Sequence, residues 1–119
     1  MQAEKLPVYN ATRELFLQIH RSTQKCPIDL RRGRIVAIKE KVLKIMAGIT
    51  YANMAVESRV RLHFIDETRQ TLRDVEIEVR CIFDLGFLRR KSFAAIMRCE
   101  DSIARQLDGW ERKTVTNEK

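Results

Sequence analysis

The sequence calls for an all-α protein, an antiparallel up-and-down four-helix bundle, on three grounds. Breakers are scarce: four glycines and two prolines occur in 119 residues, too few for a loop-rich chain or for the turns of an all-β fold. Apolar residues recur at steps of three and four in four stretches, and no strand-like alternation survives counting. The length, with 45% hydrophobic and 33% charged residues, fits one domain over 1–119, ending in a polar tail at about 113–119. No repeat, low-complexity tract or linker divides it.

The first helix is expected from about 7 to 24. Pro7 suits the first helical position, where no N–H is needed. Val8, Ala11, Leu15 and Ile19 recur at helical spacing with Phe16 beside them, and Lys25-Cys26-Pro27 ends the run. Asp29 is the expected N-cap of the second helix. In that helix Ile35, Ile38, Val42, Ile45 and Ile49 step by 3, 4, 3, 4, the seam of a bundle. Val36, Leu43 and Ala47 form a second apolar strip, about 100° round the helix. One neighbour needs a narrower face, so this strip is the expected oligomer interface or a contact with a second neighbour.

The third helix begins between 53 and 58 and runs to 85. Ile65, Thr68, Leu72, Val75, Val79 and Ile82 mark its inner side, and Gly86 stands where a left-handed C-terminal cap belongs. The fourth runs from about 90 to 110 with Phe93, Met97, Ile103, Leu107 and Trp110 inside; Gly109 permits a close approach or a bend, and the tail is expected to fray.

Charge is unevenly spread. The net charge is +7, and residues 31–61, with eight basic and two acidic groups, hold +6 of it. Arg31, Arg32, Arg34, Lys41 and Lys44, with Arg59 and Arg61, are the candidate phosphate contacts; the alternative is a solvated helix face. Arg31-Arg32-Gly33-Arg34 and Arg89-Arg90-Lys91 are the densest basic runs, and an antiparallel bundle puts both at one end. Neither is interleaved with aromatic residues, so binding should rest on phosphates rather than stacked bases.

Motifs for chemistry are lacking. Glu-x-x-His, needed by a di-iron bundle, fails at both histidines: Leu17 precedes His20 by three and Val60 precedes His63 by three. His63 and Glu67, one turn apart, read as a surface contact. Asp74, Glu76 and Glu78 read as the polar face of a helix. Cys26, Cys81 and Cys99 are odd in number and form no C-x-x-C pair, so neither disulfides nor zinc is indicated; Cys81 and Cys99 read as core or interface residues. No phosphate-binding glycine loop occurs. The expectation is therefore a protein without enzymatic activity, cofactor or metal. Met1-Gln2-Ala3-Glu4-Lys5 has no apolar signal core behind it and no stretch is long enough to span a bilayer, so the expected place is the cytoplasm, away from membranes.

Lys5-Leu6-Pro7-Val8-Tyr9, Cys26-Pro27, Ala52-Asn53 and Leu107-Asp108-Gly109-Trp110 give the chain, over nearly its whole length, a resemblance to a family. It resembles the four-helix-bundle proteins encoded in intervening sequences of bacterial large-subunit ribosomal RNA genes. It is more similar still to the accessory variability determinant proteins of diversity-generating retroelements. The resemblance implies a bundle assembled as a ring-like homopentamer and, in the retroelement branch, a basic surface that binds RNA or DNA and a reverse transcriptase. The chain departs from the intervening-sequence branch at Ile49-Thr50-Tyr51-Ala52-Asn53, where that branch carries Asn-Ile-Ala-Glu-Gly, and at Arg89, where relatives often carry a Ser or Thr cap. The functional expectation is a non-enzymatic oligomer that binds nucleic acid through its second helix. Its competitor is a protein-interaction scaffold whose basic face meets an acidic protein.

Overall fold

The three-and-four spacing of apolar residues becomes four long helices in the computed structural model, which describes residues 2–118. A 3₁₀ turn at Ala3–Lys5 leads into the first helix, Pro7–Ser22, with Pro7 in its first turn. The second helical stretch covers 28–54: a short α segment Ile28–Leu30, a π-helical turn Arg31–Ile35, and the long α segment Val36–Met54. The third helix is Ser58–Asp84 and the fourth Arg90–Glu118. Among the described residues there is no strand.

The second helix packs on the third, the third on the fourth, the fourth on the first and the first on the second, an arrangement compatible with a helical bundle. The molecule measures 50 × 22 × 22 Å. Its core is the residue set that the periodicity marks in the second and third helices, but in the fourth the register is shifted: Ile96 is fully buried, whereas Phe93, Met97 and Trp110 are only half-buried. Leu15 and Ile19 of the first helix, Ile38, Val42, Ile45 and Ile49 of the second, Ile65 and Val75 of the third, and Ile96, Ile103 and Leu107 of the fourth are all but fully buried. Each such side chain contributes about 1.5–3 kcal/mol through burial. Among the described residues no helix is long and apolar enough to cross a membrane.

Helix ends differ from the sequence reading in specific ways. The first helix stops at Ser22, with Thr23 at its C-cap donating its hydroxyl to the Ile19 carbonyl at 2.7 Å. Pro27, not Asp29, holds the N-cap position of the second helix; Asp29 lies inside the first turn, where its charge still favours the helix dipole. Gly86 takes φ +87°, donates its N–H to Phe83, and lets Phe87 donate to Ile82. That pair of bonds closes the third helix with a Schellman motif. The largest correction is at the tail, which is helical through Glu118 rather than frayed. Thr114 is buried and donates to the Trp110 carbonyl of its own helix at 2.8 Å, and the last turns lie beside Leu6, Pro7 and Val8, with which Trp110, Lys113 and Thr114 line one hollow. Lys119 lies outside the described residues. At Gly109 an added Cβ would meet only the far end of Arg112, so no close approach explains that glycine.

Candidate nucleic-acid interface

Seven basic residues were singled out by sequence, and the fold sorts them into three places. At one end, the π turn presents Arg31, Arg32 and Arg34 within five residues. Arg31 Nε donates to the Cys26 carbonyl at 3.0 Å, tying the turn to the preceding connection, whereas Arg32 is exposed. Along the groove between the second and third helices, Arg34 Nη1 and Lys41 Nζ reach the two oxygens of Glu78, at 3.1 and 2.9 Å. One turn further, Lys44 is exposed at the edge of a hollow of about 130 Å³ that Ala47, Gly48, Tyr51 and Phe64 also line. At the opposite end, Arg59 lies 3.5 Å from Glu57. Arg61, near the start of the third helix, donates through Nε to Ala52 at 3.0 Å and through Nη2 to Ala55 at 2.8 Å. Those carbonyls close the second helix, so Arg61 is a clamp between two helices before it is anything else.

The two densest arginine runs are brought together. Cys26 Sγ donates to the Phe87 carbonyl at 3.5 Å, joining the connection before the second helix to the one before the fourth. Leu88 is buried beneath, and Arg89, Arg90 and Lys91 stand exposed beside the π turn's end of the molecule. Lys39 faces the first helix instead, 2.8 Å from His20 Nδ1 and 5.5 Å from the Phe16 ring centroid.

The carboxylates of the third helix are not merely an outer face. Glu78 serves Arg34 and Lys41, with its side chain only 16% exposed. Glu76 lines a cleft between the third and fourth helices and lies 3.8 Å from Arg80. In that cleft sits the residue that sequence reading missed: Glu100 is 4% exposed, and neither carboxylate oxygen has a hydrogen-bond partner. Burial, and then the Glu76 carboxylate, push its carboxyl up to about 8, with Arg80 pulling the other way. Its signal was its position among Ile96, Ile103 and Leu107, on the buried side of the helix.

Cys26 is buried, Cys99 half-buried, and Cys81 exposed, so Cys81 is not a core residue. Burial pushes the Cys26 and Cys99 thiols up and keeps them protonated. His63 Nε2 lies 3.4 Å from Glu67 Oε1 on the surface, and among the described residues no group of three His, Cys, Asp or Glu side chains could hold a metal ion.

The second apolar strip does not enter the bundle core. Val36 is 43% and Leu43 50% exposed, Ala47 is half-buried, and Tyr51 and Met54 continue the same face uncovered. No protein-family model matches the chain, and no curated protein matches it.

Proposed function

We propose that this chain is an antiparallel up-and-down four-helix bundle of the cytoplasm that assembles with copies of itself and binds nucleic acid through phosphate contacts, catalysing no reaction. The observation that carries it is the concentration of exposed cations. Arg32, Arg89, Arg90 and Lys91 gather at one end, and Lys44 with the partly exposed Arg34 and Lys41 extends the charge along the second helix. Guanidinium groups hold phosphate oxygens with paired hydrogen bonds at any cellular pH. The antiparallel course is supported by where neighbours meet: Gly48 beside Thr68 but Arg34 beside Glu78, and Phe83 beside Phe93 but Arg69 beside Asp108.

Self-assembly is supported by the strip Val36, Leu43, Ala47 and Met54, whose positions fall within about 40° of one another at 3.6 residues per turn. An uncovered apolar face of this length is a contact surface. Five copies is the number implied by the family resemblance, and in that setting a reverse transcriptase is the further partner. Leu43→Glu is expected to lower the mass seen by sedimentation while keeping helicity, since Leu43 is half exposed in the single chain.

Binding is tested by replacing Arg32, Lys44 and Arg90 with Glu. These side chains are exposed, so the bundle should hold, while affinity for structured RNA and duplex DNA at low salt drops by roughly 100-fold or more. Equal affinity of the triple variant and the unmodified chain would refute the assignment. The second reading, a protein scaffold, is favoured by the additional exposed Ile77 and Cys81, one turn apart on the third helix, and Leu85 at its C-cap. A scaffold would bind neither polyanion at moderate salt.

A further inference from the structure

The cleft between the third and fourth helices has a volume of about 400 Å³ and a charged rim over an apolar floor of Leu72, Met97 and Ala104. Its acids are unequally treated. Asp108 is 3.0 Å from Arg69, Asp101 is 3.2 Å from Arg105, and Glu76 is 3.8 Å from Arg80. Glu100, the most deeply buried acid there, has no donor on either oxygen. A buried carboxyl with both oxygens unpartnered is costly for a small bundle, and a ligand that supplies the missing donors removes that cost.

We propose that the Glu100 cleft is a binding site for an organic monocation of the guanidinium or alkylammonium class. A planar guanidinium offers two parallel N–H groups to the two oxygens of one carboxylate. An alkyl stem fits the Leu72, Met97 and Ala104 floor. A divalent metal ion fits poorly, since it demands several oxygen ligands and the other acids of the cleft are already engaged. Arg69 Nε is also buried without an acceptor and Arg73 lines the cleft, but an anion would meet the carboxyls of Glu76, Glu100, Asp101 and Asp108, and Arg69 and Arg80 already face carboxylates through Nη2, so an anion fits less well. The cation can come from an arginine or lysine side chain of a second copy, or from a free small molecule, and the experiment separates the two.

The charged groups that share the cleft with Glu100 are Arg69, Arg73, Glu76 and Arg80 of the third helix and Asp101 and Asp108 of its own, with Glu76 and Arg80 acting on it most directly; Glu14 of the first helix acts on the neighbouring Cys99. Glu100 is thus the group whose ionisation the ligand should control. The test follows its carboxyl carbon by NMR through a pH titration of the full chain, with Glu100→Gln to assign the signal. Titrations are run at low and high protein concentration, and with ethylguanidinium chloride against equal sodium chloride.

A cation that binds only the ionised form should bind about 90-fold more tightly at pH 9 than at pH 6, given a free midpoint near 8. Ethylguanidinium should therefore lower the Glu100 midpoint where sodium does not, and Glu100→Gln should lose at least tenfold in affinity for it. A midpoint that also falls with protein concentration identifies a second copy as the source; one that falls with ethylguanidinium alone identifies a free cation. A midpoint moved by neither, or undiminished binding to Glu100→Gln, overturns the proposal. If that variant fails to fold, Glu100→Asp assigns the signal by its loss from the glutamate carboxyl region, and the titration of the unmodified chain decides.

Discussion

Two grooves flank the third helix, and each holds a carboxylate under opposite conditions. On the side of the second helix, Glu78 receives Arg34 and Lys41 on separate oxygens. The two helices approach so closely there that a Cβ on Gly48 would collide with the Thr68 hydroxyl. On the side of the fourth helix, a cleft remains open and Glu100 lies beneath it with no donor. The same side-chain type thus ties one pair of helices together and burdens the other. What differs is where the facing helix's cations go. Arg34 and Lys41 of the second helix reach Glu78, whereas on the third helix Arg69 is held by Asp108 and Glu111 and Arg80 lies beside Glu76, so neither reaches Glu100.

The sharpest way to break this contrast is to titrate stability. Glu100 in the folded chain titrates near 8, above its ordinary value of 4.5, so the folded state keeps a proton that the unfolded state releases. Stability is therefore fully present below about pH 4.5 and falls as pH rises towards 8, by something on the order of 3–5 kcal/mol. Urea unfolding at pH 5.5 and 8.5 should register most of that fall, and Glu100→Gln should flatten it. A stability that rises over this range contradicts the description of the cleft.

Packing gives the next largest effect. Gly48→Ala should destabilise by about 1–3 kcal/mol, because buried Thr68 must move. Ala104→Leu, pointing into the open cleft, should change stability by less than about 1 kcal/mol. Equal melting shifts for the two would mean that the grooves do not differ in tightness. Glu78→Gln comes third: it should cost about 1 kcal/mol while leaving Arg34 and Lys41 free for phosphate. Its affinity for duplex DNA should rise a few-fold, a gain that no destabilised surface variant would show. Smallest is Arg105→Ala, which removes an exposed one-turn pair with Asp101 and should cost under about 0.5 kcal/mol in a melting curve.

Much of the fold was legible because isoleucine, valine and leucine at steps of three and four admit one helical solution. Every position of the 35, 38, 42, 45, 49 seam and of the 65, 68, 72, 75, 79, 82 seam is buried. Gly86 was legible for a similar local reason, since a left-handed residue must end a helix followed by a tight turn. The rest depended on contacts between distant segments. Arg61 reads as surface charge until the 55–57 connection sets it against the last carbonyls of the second helix. Glu78 reads as an outer-face acid until the second helix brings Arg34 and Lys41 to it. Thr114 looks like part of a polar tail until the fourth helix is seen docked beside Leu6 and Pro7. Glu100 occupies a core register, but a carboxylate carries so strong an expectation of solvent that the register alone does not mark it as buried. The π turn has no cue in Arg31-Arg32-Gly33-Arg34 beyond its glycine.

Nucleic-acid binding is tested most directly by the salt dependence of affinity for structured RNA and duplex DNA, with the mass of the assembly measured in the same buffers. About five phosphate contacts from the exposed cations should give a slope of log affinity on log salt of roughly −4 to −5 for duplex DNA, shown by an oligomer. Absence of binding at low salt, or a slope near zero, would contradict it and leave the basic face as a protein-docking surface.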